Sequence, residues 1–334
     1  MLVMLPMAKA GSKAKSAGPV LVPELELDGG RKLRYEGSFR SQKEVKTKRG
    51  LWGRLLDVVA GEPEFHAMIA PYSVVTDSRD RIIVTDPGAA GIHIFDFDQH
   101  KYRFISREKD VDGLVSPQCV AVDAADNIYV TDSYSGKIFV FGADAKFRRV
   151  MGSIEGEGYF KRATGIAVDS KAQRIYVTDT LRNLVYVLSM DGLVLQKFGT
   201  RGAGNGEFNF PTELRLDEGN LIVVDAMNFR VQVLDQSGKF VFAIGNPDGG
   251  LIFRPKGIGV DSEGHLYVVE GLSGLVQVFD REGRLLYYFG GKGTGFGEFQ
   301  LPTGLFIDGD NHVFVVDSFN RRVQVFKYFG LVKK

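Results

Sequence analysis

The sequence predicts an all-β fold, a six-bladed β-propeller with four antiparallel strands in each blade. Three observations predict it. First, one unit recurs six times: an apolar run ending in Asp, a polar turn, then a second apolar run ending in an acid. The copies read PYSVVTDSRDRIIVTD from Pro71, PQCVAVDAADNIYVTD from Pro117, ATGIAVDSKAQRIYVTD from Ala163, PTELRLDEGNLIVVD from Pro211, PKGIGVDSEGHLYVVE from Pro255 and PTGLFIDGDNHVFVVD from Pro302. Second, the first-strand acids Asp77, Asp123, Asp169, Asp217, Asp261 and Asp308 are spaced by 46, 46, 48, 44 and 47 residues. Third, each copy continues into further strand-like runs, as in LVQVFD (275–280) followed by RLLYYFG (284–290). Repeats of roughly 40–45 residues holding four short strands are the signature of propeller blades, which bury their faces only against one another.

Within a copy, the turn between the first two strands is rich in Asp, Ser, Gly and Asn. These residues suit tight turns because their side chains bond local backbone or they tolerate positive φ. The second strands end in Asp86, Asp132, Asp179, Asp225, Glu270 and Asp317. Six acids at one level suggest a cation site, but the repeat offers a structural role: each carboxylate caps the backbone of its own following turn.

The last copy ends VQVFKYFGLVKK, too short for a complete fourth strand. An open edge invites aggregation. The segment Leu33–Phe39 (LRYEGSF) resembles a fourth strand and is expected to close the sixth blade, with Leu55–Ala60 as the alternative. The domain division is then a basic arm over 1–31 and a propeller over 32–334, with the closing strand at 33–39, a helix at 51–60 and repeats over 71–334. The helix is expected from apolar positions 51, 52, 55, 56, 58 and 59, with Arg54 and Asp57 opposite. It packs on the propeller edge, or caps the channel or touches a membrane surface through Trp52.

The net charge of +1 conceals an asymmetry. Residues 1–54 hold 12 Lys or Arg and 5 Asp or Glu; the remainder holds 30 basic and 36 acidic residues. A mildly acidic body argues against a general nucleic-acid binder, which carries a basic stripe. The opening residues contain no apolar run long enough for a transmembrane helix. They do end in Ala8-Lys9-Ala10, like the cleavage site of an incomplete export signal, so the expected location is periplasmic or cell-surface, with the cytoplasm as the alternative. The lone Cys119 lies in an apolar run and is expected to be a buried hydrophobe.

The motifs FNRRVQVF (319–326) and NFRVQVLD (228–235), with the loops GTRGAGNGEFNFP (199–211) and GGKGTGFGEFQLP (290–302), resemble NHL repeats. The resemblance spans all six copies, and residues 20–70 resemble the lead-in of bacterial NHL proteins. It implies a six-bladed propeller. Function is left open, because NHL propellers bind RNA or proteins, act as sensors, or catalyse reactions. A zinc lyase of this type uses several converging His. Here His265 and His312 fall in turns between first and second strands, His93 and His100 lie in or near a third strand, and only His66 precedes a blade in a long loop. No nucleophile elbow or P-loop occurs.

The turns between second and third strands differ from blade to blade and share a face with the inter-blade loops. They carry Tyr134, Arg182, Met227, Phe229, Phe319 and Arg321, residue types that anchor interfaces. Arg230 and Arg322 are either part of this surface or partners of Asp225 and Asp317. The expected function is a non-catalytic scaffold or ligand sensor. It binds a protein, a peptide or a small ligand on that face as a monomer without a cofactor. The alternatives are a lactonase- or lyase-type enzyme with a calcium or zinc ion at the channel mouth, and an RNA-binding propeller.

Overall fold

The computed structural model describes residues 24–45, 65–106, 110–245 and 252–331. The helix expected at 51–60 with Trp52, the alternative closing strand and the export-like segment lie outside them.

Six sheets of radiating strands form the ring. Blade one runs Ser73–Thr76, Ile82–Asp86, Gly91–Asp96 and Lys101–Ser106, from the inside outward. Blades two to five repeat this order, beginning at Pro117–Val122, Ala163–Asp169, Pro211–Asp217 and Pro255–Val260. Every pairing within a blade is antiparallel. The second strands of all six blades bury almost every residue, since a neighbouring blade covers each sheet face. This explains continuous apolar runs such as IIVTD and LYVVE where a half-exposed strand would alternate. Outer strands are more open: Val194–Phe198 is mostly exposed.

The core is divided rather than central. Among the described residues, one cluster fills each of the six gaps between adjacent blades. Close approach at the axis depends on small residues. A Cβ at Gly257 would lie 2.3 Å from the Leu305 amide of the next blade, and one at Gly304 would lie 2.6 Å from the Tyr72 carbonyl.

The sixth blade closes as expected. Its chain-order strands are Leu305–Ile307, His312–Asp317 and Arg322–Phe329, and Lys32–Phe39 pairs antiparallel with the last, setting Leu33 opposite Tyr328 and Phe39 opposite Val323. A further strand that the sequence did not suggest, Glu24–Glu26, pairs on the outside of Lys32–Phe39. Part of the segment assigned to the arm is thus a fifth strand of this blade.

The closing strand also joins both neighbouring blades. Leu33 and Tyr35 belong to the cluster shared with blade five, and Phe39 to the cluster shared with blade one. The Phe39 ring lies 4.8 Å from that of Phe95 and 5.3 Å from that of Phe97. Truncating Phe39 removes part of the apolar contact between the last blade and the first, the rest being held by Phe314, Val316 and Val323. Phe39→Ala is expected to lower the stability by about 3–5 kcal/mol, measured as a shift of the denaturation midpoint at unchanged slope.

Candidate functional site

The six second-strand acids sit at one level, and all but Glu270, which accepts the Ser273 amide through one oxygen, are occupied by several donors. The Asp86 carboxylate accepts the amides of Ile69 (2.6 Å), Ala70 (2.9 Å) and Ala89 (3.0 Å). Asp132 accepts those of Val115, Ser116, Tyr134 and Ser135. Asp179 accepts those of Lys161 and Arg162. The expected cap on the following turn is therefore incomplete as a description. In blades one, two, three, four and six the acid ties down the loop that enters its own blade. Among the described residues, Asp86 and Asp132 also accept amides of the turn that follows, and Glu270 accepts only such an amide, that of Ser273.

Asp225 and Asp317 depart furthest from the expectation, for a reason written in the sequence. Each is followed by Asn-x-Arg-x-Gln. Asp225 Oδ2 accepts Asn228, Arg230 and Gln232 side chains at 2.8, 2.8 and 3.0 Å. Those side chains also hold the glycine-rich loop: Asn228 donates to the Gly202 carbonyl, Arg230 to Gly204 and Glu207, and Gln232 to Glu207. Blade six repeats the arrangement with Asp317, Asn320, Arg322 and Gln324 around the 293–298 carbonyls. Arg230 and Arg322 are buried and belong to the framework. Burial raises the Asp225 carboxyl pKa against the opposing pull of the Asn209 amide, Asn228 and Arg230.

Four of the five histidines are likewise part of the framework. His265 and His312 bond through Nδ1 to Asp261 (2.9 Å) and Asp308 (2.8 Å) at the start of their own hairpins. His93 is fully buried between Asp86 (3.2 Å) and the Tyr102 hydroxyl (2.7 Å), and the His66 ring stacks 4.5 Å from Phe104. Among the described residues, no group of three or more His, Cys, Asp or Glu is arranged to hold a metal ion. Cys119 is buried and free, with its thiol pKa pushed up by burial.

The six residues expected on the loop face all lie on its turns. Tyr134 of blade two is 78% exposed and Phe319 of blade six 67%. Met227 and Phe229 of blade four and Arg321 of blade six are also exposed. Arg182 is more constrained: it donates to Asp179 (2.9 Å) and to the Tyr159 carbonyl (2.7 Å), with its guanidinium 5.8 Å from the Tyr159 ring centre. In each turn the residue at the entry to the third strand is left-handed: Ala90, Gly136, Asn183, Phe229, Gly274 and Arg321, with φ between 45° and 70°. Phe229 and Arg321 occupy a conformation that disfavours a Cβ.

Two sets of residues on this face were missed from sequence. Ile69, Phe210, Phe253, Leu272 and Leu301 add exposed apolar side chains from the inter-blade loops and the blade-five turn. Toward the axis lie Tyr72, Arg162, Glu213, Arg254 and Lys256. Tyr72 interacts electrostatically with Glu213 and Arg162, and Lys256 with Arg254, Arg162 and Glu213. These residues come from blades one, three, four and five and from the loops entering them, which approach one another only at the channel mouth. A signal existed in the sequence. Where Glu213 stands, the other copies have Ser73, Cys119, Gly165, Gly257 and Gly304, and Lys256 aligns with Tyr72, Gln118, Thr164, Thr212 and Thr303.

Beside this mouth, a cavity of about 290 Å³ opens between blades five and six, with Arg254, Lys256 and Leu272 on one wall and Leu301, Thr303 and Phe319 on the other. A larger one, about 590 Å³, lies at the opposite end of the ring between the N-terminal strands and blade five, lined by Leu25, Leu27, His265, Arg284 and Tyr287.

Two measurements test these assignments. Arg230→Ala leaves the Asp225 carboxylate buried without its cation and is expected to cost about 3–5 kcal/mol; a double-mutant cycle with Asp225→Asn should show strong coupling in stability. Glu213 is buried, and burial raises its carboxyl pKa to about 7 against the pull of Arg215 (2.9 Å) and Lys256. The folded state therefore holds this proton where the unfolded chain has lost it. The stability it contributes is full below the usual Glu pKa and falls as pH rises toward about 7. Glu213→Gln is expected to flatten that fall, leaving the variant about 2–3 kcal/mol more stable than wild type near pH 8, as read from denaturation curves across the range.

Comparison with known proteins agrees with this architecture. Residues 166–241 match a family described as "6-bladed beta-propeller", and residues 114–141 match the NHL repeat. No functionally curated protein matches the sequence. Among solved structures, the chain is similar to a streptogramin B lyase (14% identity, 78% of this chain and 94% of that one, TM-score 0.58). It is also similar to a catalytically inactive virginiamycin B lyase from Staphylococcus aureus with quinupristin (14%, 79% and 95%, 0.57). A third is an auxiliary nutrient binding protein from Bacteroides thetaiotaomicron (12%, 78% and 69%, 0.61). At these identities the likeness shows the fold. With six copies of one unit, a closed ring of six sheets and a six-bladed propeller match over residues 166–241, the chain is a six-bladed β-propeller that carries an NHL repeat in its second blade.

Proposed function

We propose that this propeller is a non-catalytic interaction module that binds a protein or peptide partner on the face formed by the inter-blade loops and the turns between second and third strands. The observation that carries this reading is the set of large exposed apolar side chains on the turns and loops of that face. Tyr134, Met227, Phe229, Leu272, Leu301 and Phe319 stand on that face, in blades two, four, five and six. Exposed aromatic side chains, with Arg321 among them, are the usual anchors of interfaces. The scaffold suits rigid display: a dense hydrogen-bond frame fixes the loops, so little ordering entropy is lost on binding.

A second reading, an enzyme acting at the channel mouth, is favoured by the buried Glu213 with its pKa near 7, a value suited to general acid–base chemistry. Divalent metal bound in stoichiometric amount to purified protein, and lost in Glu213→Gln, would move the assignment to this class.

The binding reading is tested by cross-linked capture from native extract. The variant Tyr134→Ser, Phe319→Ser, Arg321→Gly is compared with wild type and with Leu193→Ser, an exposed residue at the opposite end of the ring. A partner held by wild type and by Leu193→Ser, but lost from the face variant, is the expected result; equal capture by all three removes the loop face as the site. Arg321→Gly relieves a left-handed non-glycine residue at φ 55°. By itself it is expected to stabilise the fold by about 1 kcal/mol while weakening capture.

A further inference from the structure

We infer that the channel mouth holds an anion subsite that receives a carboxylate of the partner, beside an apolar side chain seated in the cavity between blades five and six. The inference rests on the loop-face reading above and names the chemistry of the partner.

Arg162, Arg254 and Lys256 form the subsite. Their backbone is fixed: the Arg162 amide donates to Asp179, the Arg254 carbonyl accepts the Gly271 amide at 3.0 Å, and Lys256 lies within the inner strand Pro255–Val260. Among the described residues, none of the three cationic side chains forms an ion pair. By contrast, Arg182, Arg215, Arg230 and Arg322 are each matched to a carboxylate. The half-buried Lys256 is accommodated by the absence of a side chain at Gly271, where a Cβ would come within 3.1 Å of Lys256 Cγ. Burial, and then the positive charges of Arg254 and Arg162, lower the Lys256 pKa, so its charged form gains from an incoming anion. The acid facing this group, Glu213, is paired with Arg215 and also attracts Lys256, so one carboxylate faces four cations and the cluster keeps a net positive charge. Tyr72 faces it as a neutral hydroxyl, its pKa raised by burial.

The apolar half of the site adjoins the charged half. Arg254 and Lys256 share the 290 Å³ cavity with the exposed Leu272, Leu301 and Phe319. That volume is at the small end of ligand pockets and suits one apolar side chain with a neighbouring carboxylate. The same face carries further exposed apolar residues, Met227 and Phe229 on the adjoining blade four and Tyr134 across the ring on blade two, which a longer peptide reaches and a small acid does not. Nucleic acid fits less well, because 36 acidic against 30 basic residues follow residue 54.

The test uses the full chain and fluorescence anisotropy with short labelled peptides. One pool carries Phe or Leu next to Asp or Glu at fixed central positions; the matched pool carries Asn or Gln instead. Wild type is compared with Arg254→Met, Lys256→Met and with Phe319→Ser, each checked for unaltered thermal unfolding. The acidic pool is expected to bind wild type about tenfold more tightly than the amide pool, with the preference weakening as salt rises. The Arg254, Lys256 variant should lose the preference, and Phe319→Ser should weaken both pools. Equal binding of the two pools, still lost in Phe319→Ser, overturns the anion subsite and leaves the loop face standing. A charge preference that survives in the Arg254, Lys256 variant overturns the residue assignment. Absence of saturable binding by either pool, or displacement of the acidic pool by a short single-stranded RNA that binds more tightly, overturns the peptide proposal.

Discussion

The carboxylate that ends each second strand is the interaction on which the ring depends. It accepts backbone amides from the loop entering its own blade, at distances of 2.6–3.0 Å in blades one, two, three, four and six. A loop crossing from the rim of one blade to the axis of the next carries amides with no strand partner. The acid satisfies them, and so fixes the chain where a four-stranded unit has no sheet hydrogen bonds to offer. In blades four and six the same carboxylate also gathers Asn, Arg and Gln, whose outer atoms hold carbonyls of the glycine-rich loop. Acceptors and donors are thereby matched in a buried network, the condition under which such networks rigidify a fold.

The halves of the ring differ in how neighbouring blades meet. In blades one and two the residue before the acid is Thr85 or Thr131, whose hydroxyl donates to the Gln118 or Thr164 carbonyl of the next blade. Thr178 in blade three accepts the Gly165 amide and reaches the Thr212 carbonyl at 3.4 Å. Blades four, five and six carry Val224, Val269 and Val316 there, all fully buried in apolar clusters. The charged departures from the repeat, Glu213 and Lys256, lie in the inner strands of blades four and five. The cationic mouth and its apolar cavity therefore sit off the symmetry of the ring, toward blades five and six.

A rigid frame with variable turns explains how strain is tolerated on the loop face. Six equivalent turns enter the third strand through a left-handed residue, and two of the six use glycine. Phe229 and Arg321 hold the same conformation with large side chains, at a cost the surrounding hydrogen bonds offset. Both stand on the face where the exposed apolar residues collect, which links the backbone geometry to the binding role proposed for them.

The sequence alone determined the blade count, the strand order and the closing strand. These follow from a period of about 46 residues, from apolar runs between turn residues, and from the missing fourth strand of the last copy. It also placed Tyr134, Met227, Phe229, Phe319 and Arg321 on a common face, because turns between second and third strands share one end of a propeller. Tertiary structure decided the rest. Whether Arg230 and Arg322 faced solvent or the frame depended on loops some 25 residues away in the chain, whose carbonyls they hold. Glu213, Lys256 and Arg162 are separated by 43 to 94 positions along the chain and meet because closing the ring brings the inner strands to one axis. Strand pattern is local and period-driven, so it is written in the residues; electrostatic convergence at an axis arises only when six blades close.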